Sequence, residues 1–514
     1  MTGWVCEVCL VPNDDVPACV CCTTPRPDTK AQASDTDAQK ESHDSPEAVR
    51  EQESAFEGTE IPGARVRMTF ELGDLQPSCL FVVGSSEVDQ LPRSICDRLA
   101  VEGSGKLEPL FECSVPTPIV DGIRGSLSAV ACGSLHTAVL TRAGKVFTFG
   151  CNDMGALGRH ETQKVPECEP CIVRLRQIVT RVSCGDNHTL FLTNSGSAFF
   201  TGAFRDTMGN IGIPDFSDME SLSNAGHIKT PVALPCDAAG AGAIQDIASG
   251  ENHCLLLPVS GNGIYVMGSN EFGQLMLPTG YQPTIPTDET PDLSEENMAK
   301  LALAWPQFLD ATQLGIRKPE PVNGVKRRKH GGKLISRIFS GYCTSFFETG
   351  NSKRIYGAGR NAQGELGCGG DELCVMHPTE LQGLRGLRIS KILGGQYFAV
   401  ALTEGGNVFT WGNCCYTGHG VEDDFGKQST PKKLDFFKDN VDDVFVGADA
   451  AFAITDRGRL YAWGSAQNYV LGNGRDYLFQ KVPEEVPRNY FTGYHVVGGM
   501  GGSQHTVFLC RRYK

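Results

Sequence analysis

The chain has 514 residues with 60 acidic against 46 basic side chains, a formal net charge of -14 at pH 7, and that balance argues against wrapping nucleic acid on a broad face. No apolar run approaches the ~20 residues needed to cross a bilayer, and the N-terminus lacks the basic-then-apolar pattern of a secretory signal, so a soluble intracellular protein with no membrane partner is expected. Of the 21 cysteines, those beyond the first two dozen residues are scattered without a bridge framework, which fits a reducing compartment.

Residues 1-27 read as a separate unit. Trp4, Cys6, Cys9, Asn13, Cys19 and Cys22 give W-x-C-x2-C-x3-N-x5-C-x2-C. Two thiolate pairs at that spacing predict a tetrahedral zinc site on a stretch too short to bury a core. Zinc binding by such fingers is worth on the order of 10 to 16 kcal/mol, so folding and metal loading are expected to be one event. Cys21 is a competing ligand whose spacing is the poorer. Residues 28-63 turn acidic and polar, with almost no large apolar residues beyond Val49, Phe56 and Ile61, and are predicted to be a flexible tether.

From residue 64 onward the chain repeats itself. VACGSLHTAVLTRAGKVFTFGCNDMGALG, 130-158, predicts two short strands, 137-141 and 146-149, joined by a turn in which Gly144 supplies a positive φ. The same pattern restarts at Val182, Ile247, Ile338, Ile392 and Val444. A unit of roughly fifty residues made of short strands is the signature of a β-propeller blade. CLFVVGSSEVDQL, 79-91, is the back half of a repeat and VVGGMGGSQHTVFLC, 496-510, the front half of one. Six whole repeats and two complementary halves therefore predict an all-β, seven-bladed propeller over 64-514, closed by pairing the two ends.

A long insertion separates the repeats that begin at Ile247 and Ile338. Residues 294-309 carry helical spacing, with Pro306 near the end to stop it. Lys326, Arg327, Arg328 and Lys329 then form a basic knot in an acidic protein, read either as a solvated loop or as an import signal or anchor for an acidic partner. His136, His188, His253 and His505 share one repeat position with Thr344, Phe398 and Ala450. A metal or catalytic ring cannot use those sister residues, so buried structural histidines tying a strand to a neighbouring turn are expected. No HExxH, GxSxG or phosphate-cradling loop is present, and no covalent chemistry is expected.

The repeats resemble those of the regulator of chromosome condensation family, over about 78-510. Phe149-Gly150-Cys151-Asn152-Asp153 with Gly155-Ala156-Leu157-Gly158-Arg159 is similar to the second blade of the branch that exchanges guanine nucleotide on the small GTPase Ran. Ala203-Phe204-Arg205-Asp206, followed by Gly209 and Ile211-Gly212, resembles its third-blade hairpin. The resemblance implies a nuclear, chromatin-associated exchange factor for Ran in which Phe204, Arg205 and Asp206 lie on a wedge beside the GTPase's phosphate-binding loop. It also implies that Glu87 and Asp186 stand where the family presents acids. Two positions depart: Asn252 replaces an aspartate and Phe398 a histidine, and a lost charged hydrogen bond of ~1.5 to 3 kcal/mol implies slower exchange. The family's basic loop before its fifth repeat docks on histones, which points to Arg327 and Arg328. The finger is similar to the Ran-binding-protein zinc fingers, and Leu10-Val11 resembles the Ran-binding rather than the ubiquitin-binding branch. The alternative is a propeller scaffold without exchange activity, an adaptor for ubiquitin or chromatin.

Overall fold

The computed structural model describes residues 78-513, apart from 88, 99-100, 104-105, 109-110, 161-162, 208, 211-225, 237-240, 283-302 and 317-332, together with Trp4–Val5 and Pro12–Asn13. Cys6, Cys9, Cys19 and Cys22, the pair Leu10 and Val11, the tether 28-63 and the basic knot Lys326, Arg327, Arg328 and Lys329 lie outside the described residues. Two compact units divide the chain, Met1–Asp74 with Asp97–Leu110 and Leu75–Cys96 with Phe111–Lys514. In the first, Trp4–Val5 pairs with Pro12–Asn13 and Val101–Gly103 with Lys106–Glu108, both antiparallel.

The second unit is a ring of seven four-stranded antiparallel sheets. Blade 1 is made from both ends of the propeller, in the order Tyr494–Gly501, His505–Arg512, Ser78–Ser85 and Glu112–Ile119. Seven residue pairs close it, from Ser78 opposite Arg511 to Gly84 opposite His505. Blades 2 to 7 follow at 127-172, 179-233, 244-310, 335-380, 389-433 and 441-485. Their first strands line an axial cavity of about 360 Å³. The second strands, such as His136–Thr141, Phe398–Thr403 and Ala450–Thr455, are buried at every residue. They show no polar-out alternation because neighbouring blades cover both faces. The core is accordingly a set of slabs between blades: Leu190 and Phe200 of blade 3, for example, pack with Leu256 and Tyr265 of blade 4.

Local devices repeat with the blade. Each first strand carries an irregularity near its start, as between Leu127 and Ala129 or between Ile389 and Lys391. A bulge leaves one residue unpaired and increases the local twist. In four blades the skipped residue is Ser128, Thr180, Ser336 or Ser390, and its hydroxyl donates to a carbonyl of the second strand at 3.1 to 3.2 Å, so the break in the ladder is bridged by a side chain. Gly144 turns the hairpin of blade 2 at φ 73°, as its sequence predicts.

The histidines form a directional set. His136 Nε2 lies 2.9 Å from Thr189 Oγ1, His188 Nε2 3.1 Å from Cys254 Sγ, His253 Nε2 2.9 Å from Ser345 Oγ, and His505 Nε2 3.0 Å from Thr137 Oγ1. Each reaches the second strand of the next blade, and His136 also bonds the backbone of Asp186 in the neighbouring loop. Glycine makes the room: a Cβ at Gly250 would sit 2.0 Å from His253 Cε1. Burial pulls His136 and His253 down to about 4 and His505 to about 3, and His188 is also lowered well below the usual imidazole value.

The helical spacing read over 294-309 does not survive at its end. Phe308 and Leu309 lie on Gln307–Asp310, the outer strand of blade 4. Pro306 cannot continue a helix, and four backbone pairings to Gly263–Gly268 claim the residues that follow. Apolar spacing alone does not separate a short strand from a helix end.

Candidate functional site

Antiparallel order places two sets of connections on one face of the ring: the loops joining first to second strands, and the connections leading from third to fourth strands. The inner loops are stitched to one another through their backbones. Asp186 N donates to Glu251 O at 2.8 Å, Glu251 N to Tyr342 O at 2.7 Å, Ala448 N to Gly502 O at 3.1 Å and Ser503 N to Ser134 O at 2.9 Å. Ser134, Asp186, Glu251 and Tyr342 thereby line the mouth of the axial cavity.

Burial raises both Tyr342 and Asp186. It raises the Asp186 carboxyl to about 6, the charge of Glu251 adds to the rise, and hydrogen bonds from Ser134 and Tyr342 with the nearby Arg205 cation oppose it. Arg205 begins the third-blade hairpin, in which Arg205 pairs with Asn210 and Asp206 with Gly209. Beneath it lies a cavity of about 120 Å³ bounded in part by His136, Asp153, Asp186 and Arg205.

Blade 4 holds this hairpin in place. Asn252 Oδ1 accepts the Arg205 N–H at 2.8 Å. The Glu271 carboxylate accepts the Thr207 N–H at 3.1 and 3.2 Å, and also the Thr207 hydroxyl. Phe204, expected as a partner contact, is a core residue: it is 0% exposed, edge-on to His188 at 4.9 Å and beside Phe200 at 5.1 Å. An aromatic side chain at a strand exit gains more by filling that pocket than by standing in water. It anchors the hairpin on which Arg205 and Thr207 are exposed. Asn252 is likewise a tether, 9% exposed, and Phe398 is 1% exposed and stacked on Tyr416. Neither departure leaves a gap in the exposed surface. Glu87 is exposed in the connection following Ser78–Ser85, with its N–H on Ser85 Oγ, and no hydrogen bond or ion pair joins it to the Asp186 cluster among the described residues.

A second charged group occupies blades 5 to 7. Arg360 Nε pairs with Glu365 Oε1 at 2.7 Å, lies 5.4 Å from the Tyr397 ring centroid and donates to the Gln396 carbonyl. Burial raises Asp449 to about 6, against the pull of Arg360. Sequence reading missed Tyr342, Glu271, Arg360 and Asp449. Aligning the repeats on the glycine that precedes each inner loop would have found Tyr342 and Asp449. Glu271 and Arg360 act across blade boundaries, which no repeat alignment contains. A rigid mixed-charge face with one projecting hairpin is suited to docking a macromolecule. Among the described residues no cluster of three or more His, Cys, Asp or Glu is arranged to hold a metal ion.

Residues 79–508 match the model of the RCC1-like domain. The human protein "Regulator of chromosome condensation" is 27% identical over 451 residues, which cover 87% of this chain and 94% of that one. The Arabidopsis thaliana "Ultraviolet-B receptor UVR8" is 26% identical over 391 residues, 71% of this chain and 84% of that one. Among solved structures, Prp20p from Saccharomyces cerevisiae, described with its binding to Gsp1p and histones, superposes with a TM-score of 0.67 at 20% identity, covering 86% of this chain and 93% of that one.

Proposed function

This chain belongs to the RCC1-like domain family, and from that membership we propose that it is a guanine-nucleotide exchange factor for the small GTPase Ran, acting in the nucleus. The observation that carries the reading is the third-blade hairpin, clamped by Asn252 and Glu271 of blade 4 beside the raised carboxyl of Asp186. Exchange is a linkage effect: a partner that favours the nucleotide-free GTPase weakens nucleotide binding by the factor that nucleotide weakens its own. A ~100,000-fold faster release requires lowering the barrier by roughly 7 kcal/mol. A rigid hairpin entering the space of phosphates and magnesium contributes to that without competing for the base. Its clamps matter because a mobile hairpin would spend binding energy on its own ordering.

In this reading the N-terminal finger holds zinc through Cys6, Cys9, Cys19 and Cys22 and retains Ran-GDP through Leu10 and Val11, and Lys326 to Lys329 anchor the protein to histones or an import receptor. The test is release of a fluorescent GDP from purified Ran. Acceleration by the full chain supports exchange. No acceleration, with binding of ubiquitin or chromatin retained, favours the adaptor reading, which the relative named as an ultraviolet-B receptor also accommodates.

A further inference from the structure

Four consecutive blades expose a large apolar side chain in the connection entering the outer strand, within two residues of its start. These are Leu373 in blade 5, Phe425 in blade 6, Leu478 in blade 7 and Phe111 in blade 1, with exposures of 72%, 94%, 57% and 58%. The outer strands begin just after them, at Cys374, Lys427, Phe479 and Glu112. Scattered apolar residues on a surface need no account. These recur in one kind of connection and fall on four consecutive blades.

Contacts between blades join the four positions into one rim. Lys427 on the outer strand of blade 6 pairs with Asp371 of blade 5 at 2.9 Å. Lys481 on the outer strand of blade 7 pairs with Asp424 of blade 6 and donates to the Glu422 carbonyl at 3.2 Å. Glu112 of blade 1 and Asp476 of blade 7 both act on Tyr469. Beside the apolar side chains stand Glu112, Glu372, Glu422, Asp423 and Asp476, which form no ion pair among the described residues. The rim lies on the same face as the third-blade hairpin, across the ring from it.

We propose that this rim docks a basic protein segment, one in which lysine or arginine alternates with large apolar side chains. Charge selects among the occupants. A second copy would set carboxylate against carboxylate, an anionic lipid surface would be repelled, and nucleic acid would meet unpaired carboxylates, with Lys427 and Lys481 already paired to Asp371 and Asp424. A lysine- and arginine-rich segment neutralises the acids while its apolar residues cover Leu373, Phe425, Leu478 and Phe111. The proposal does not depend on nucleotide exchange.

The experiment is fluorescence anisotropy of a labelled synthetic peptide of alternating lysine and leucine, titrated with the full chain, against a control with serine in place of leucine. The leucine peptide binds, and the control binds at least about tenfold more weakly. The triple variant Leu373→Ser, Phe425→Ser, Leu478→Ser, whose changes touch only exposed side chains, keeps its thermal midpoint and loses about tenfold in affinity. Glu422→Gln with Asp423→Asn weakens binding and lessens its salt dependence. Its GDP-release rate on Ran matches the parent's, so failure of the peptide arm and failure of the exchange reading are separate results. Equal binding of the control peptide, or of the triple variant, overturns the proposal. So does a peptide that binds only after residues 317-332 are deleted, because the occupant would then be the chain's own basic segment.

Discussion

The Asn252 side-chain oxygen accepts the backbone N–H of Arg205 at 2.8 Å, so a residue of blade 4 sets the angle at which the hairpin leaves blade 3. Any acceptor of the same reach can do this. Asn252→Asp is therefore expected to release GDP from Ran at the parent rate, whereas Asn252→Leu, which strands the Arg205 N–H, slows release about tenfold, a barrier change of about 1.4 kcal/mol. Glu271→Ala is expected to behave like Asn252→Leu. Stopped-flow release of labelled GDP checks all three, with thermal midpoints measured alongside.

Replacing Arg205 and Asp206 together by Ala removes the hairpin's partner-facing groups without touching the Phe204 anchor. Release is expected to slow at least about tenfold while the fold is kept. A double variant as fast as the parent places the exchange surface around Glu87 and Asp186 instead.

The blade count was legible because six copies of a glycine-bounded strand pair, and the two half copies at the ends, are written in the sequence. The turn at Gly144 was legible for the same local reason. Phe204 was misread because a motif says which residues belong to a hairpin and not which way each side chain points; burial against His188 decides that. The histidines were read correctly as structural, but their partners Thr189, Cys254, Ser345 and Thr137 lie on the next blade, outside the repeat that contains each histidine. The strand containing Phe308 and Leu309 was hidden by an apolar spacing that suits either element.

Stability is expected to fall on acidification from pH 7 to pH 4. His136 and His253 have folded values of about 4 and His505 of about 3 against 6.5 unfolded, and burial also holds His188 well below 6.5, so across this window the unfolded chain takes up their protons first and stability is lost as pH falls. Asp186 and Asp449, raised from 3.8 to about 6, act with the opposite sign between those values, and Asp246, also raised by burial, joins them. Four groups outweigh three, leaving a net slope of roughly 1 to 3 kcal/mol per pH unit near pH 5. His253→Phe puts in blade 4 the residue that blade 6 carries at Phe398, and its slope should be shallower. Urea unfolding at several pH values measures both.

Removing residues 494-514 takes two of the four strands from blade 1 and exposes Ser78–Ser85, which is buried along its whole length. Loss of the cooperative transition for the whole propeller is expected. An unchanged midpoint by calorimetry would show that the seven pairings from Ser78 to Gly84 do not close the ring.

The full chain is expected to carry one zinc, lost when Cys6 and Cys9 are replaced by Ser. Leu10→Ala with Val11→Ala is expected to keep the metal and weaken binding of Ran-GDP. Metal analysis and a pull-down separate the two claims, and equal binding by the Leu10 and Val11 variant refutes only the contact.

Sharing blade 1 between the chain's ends has a consequence for synthesis. Ser78–Ser85 and Glu112–Ile119 leave the ribosome before their partners, Tyr494–Gly501 and His505–Arg512, which lie on the far side of the six intervening blades. At about 5 to 20 residues per second, the apolar edge of Ser78–Ser85 waits roughly 20 to 80 s without its mate. An unpaired apolar edge is a template for pairing with other chains. The arrangement that leaves the finished ring without a seam therefore makes the nascent protein dependent on something that guards that strand until His505–Arg512 has been made.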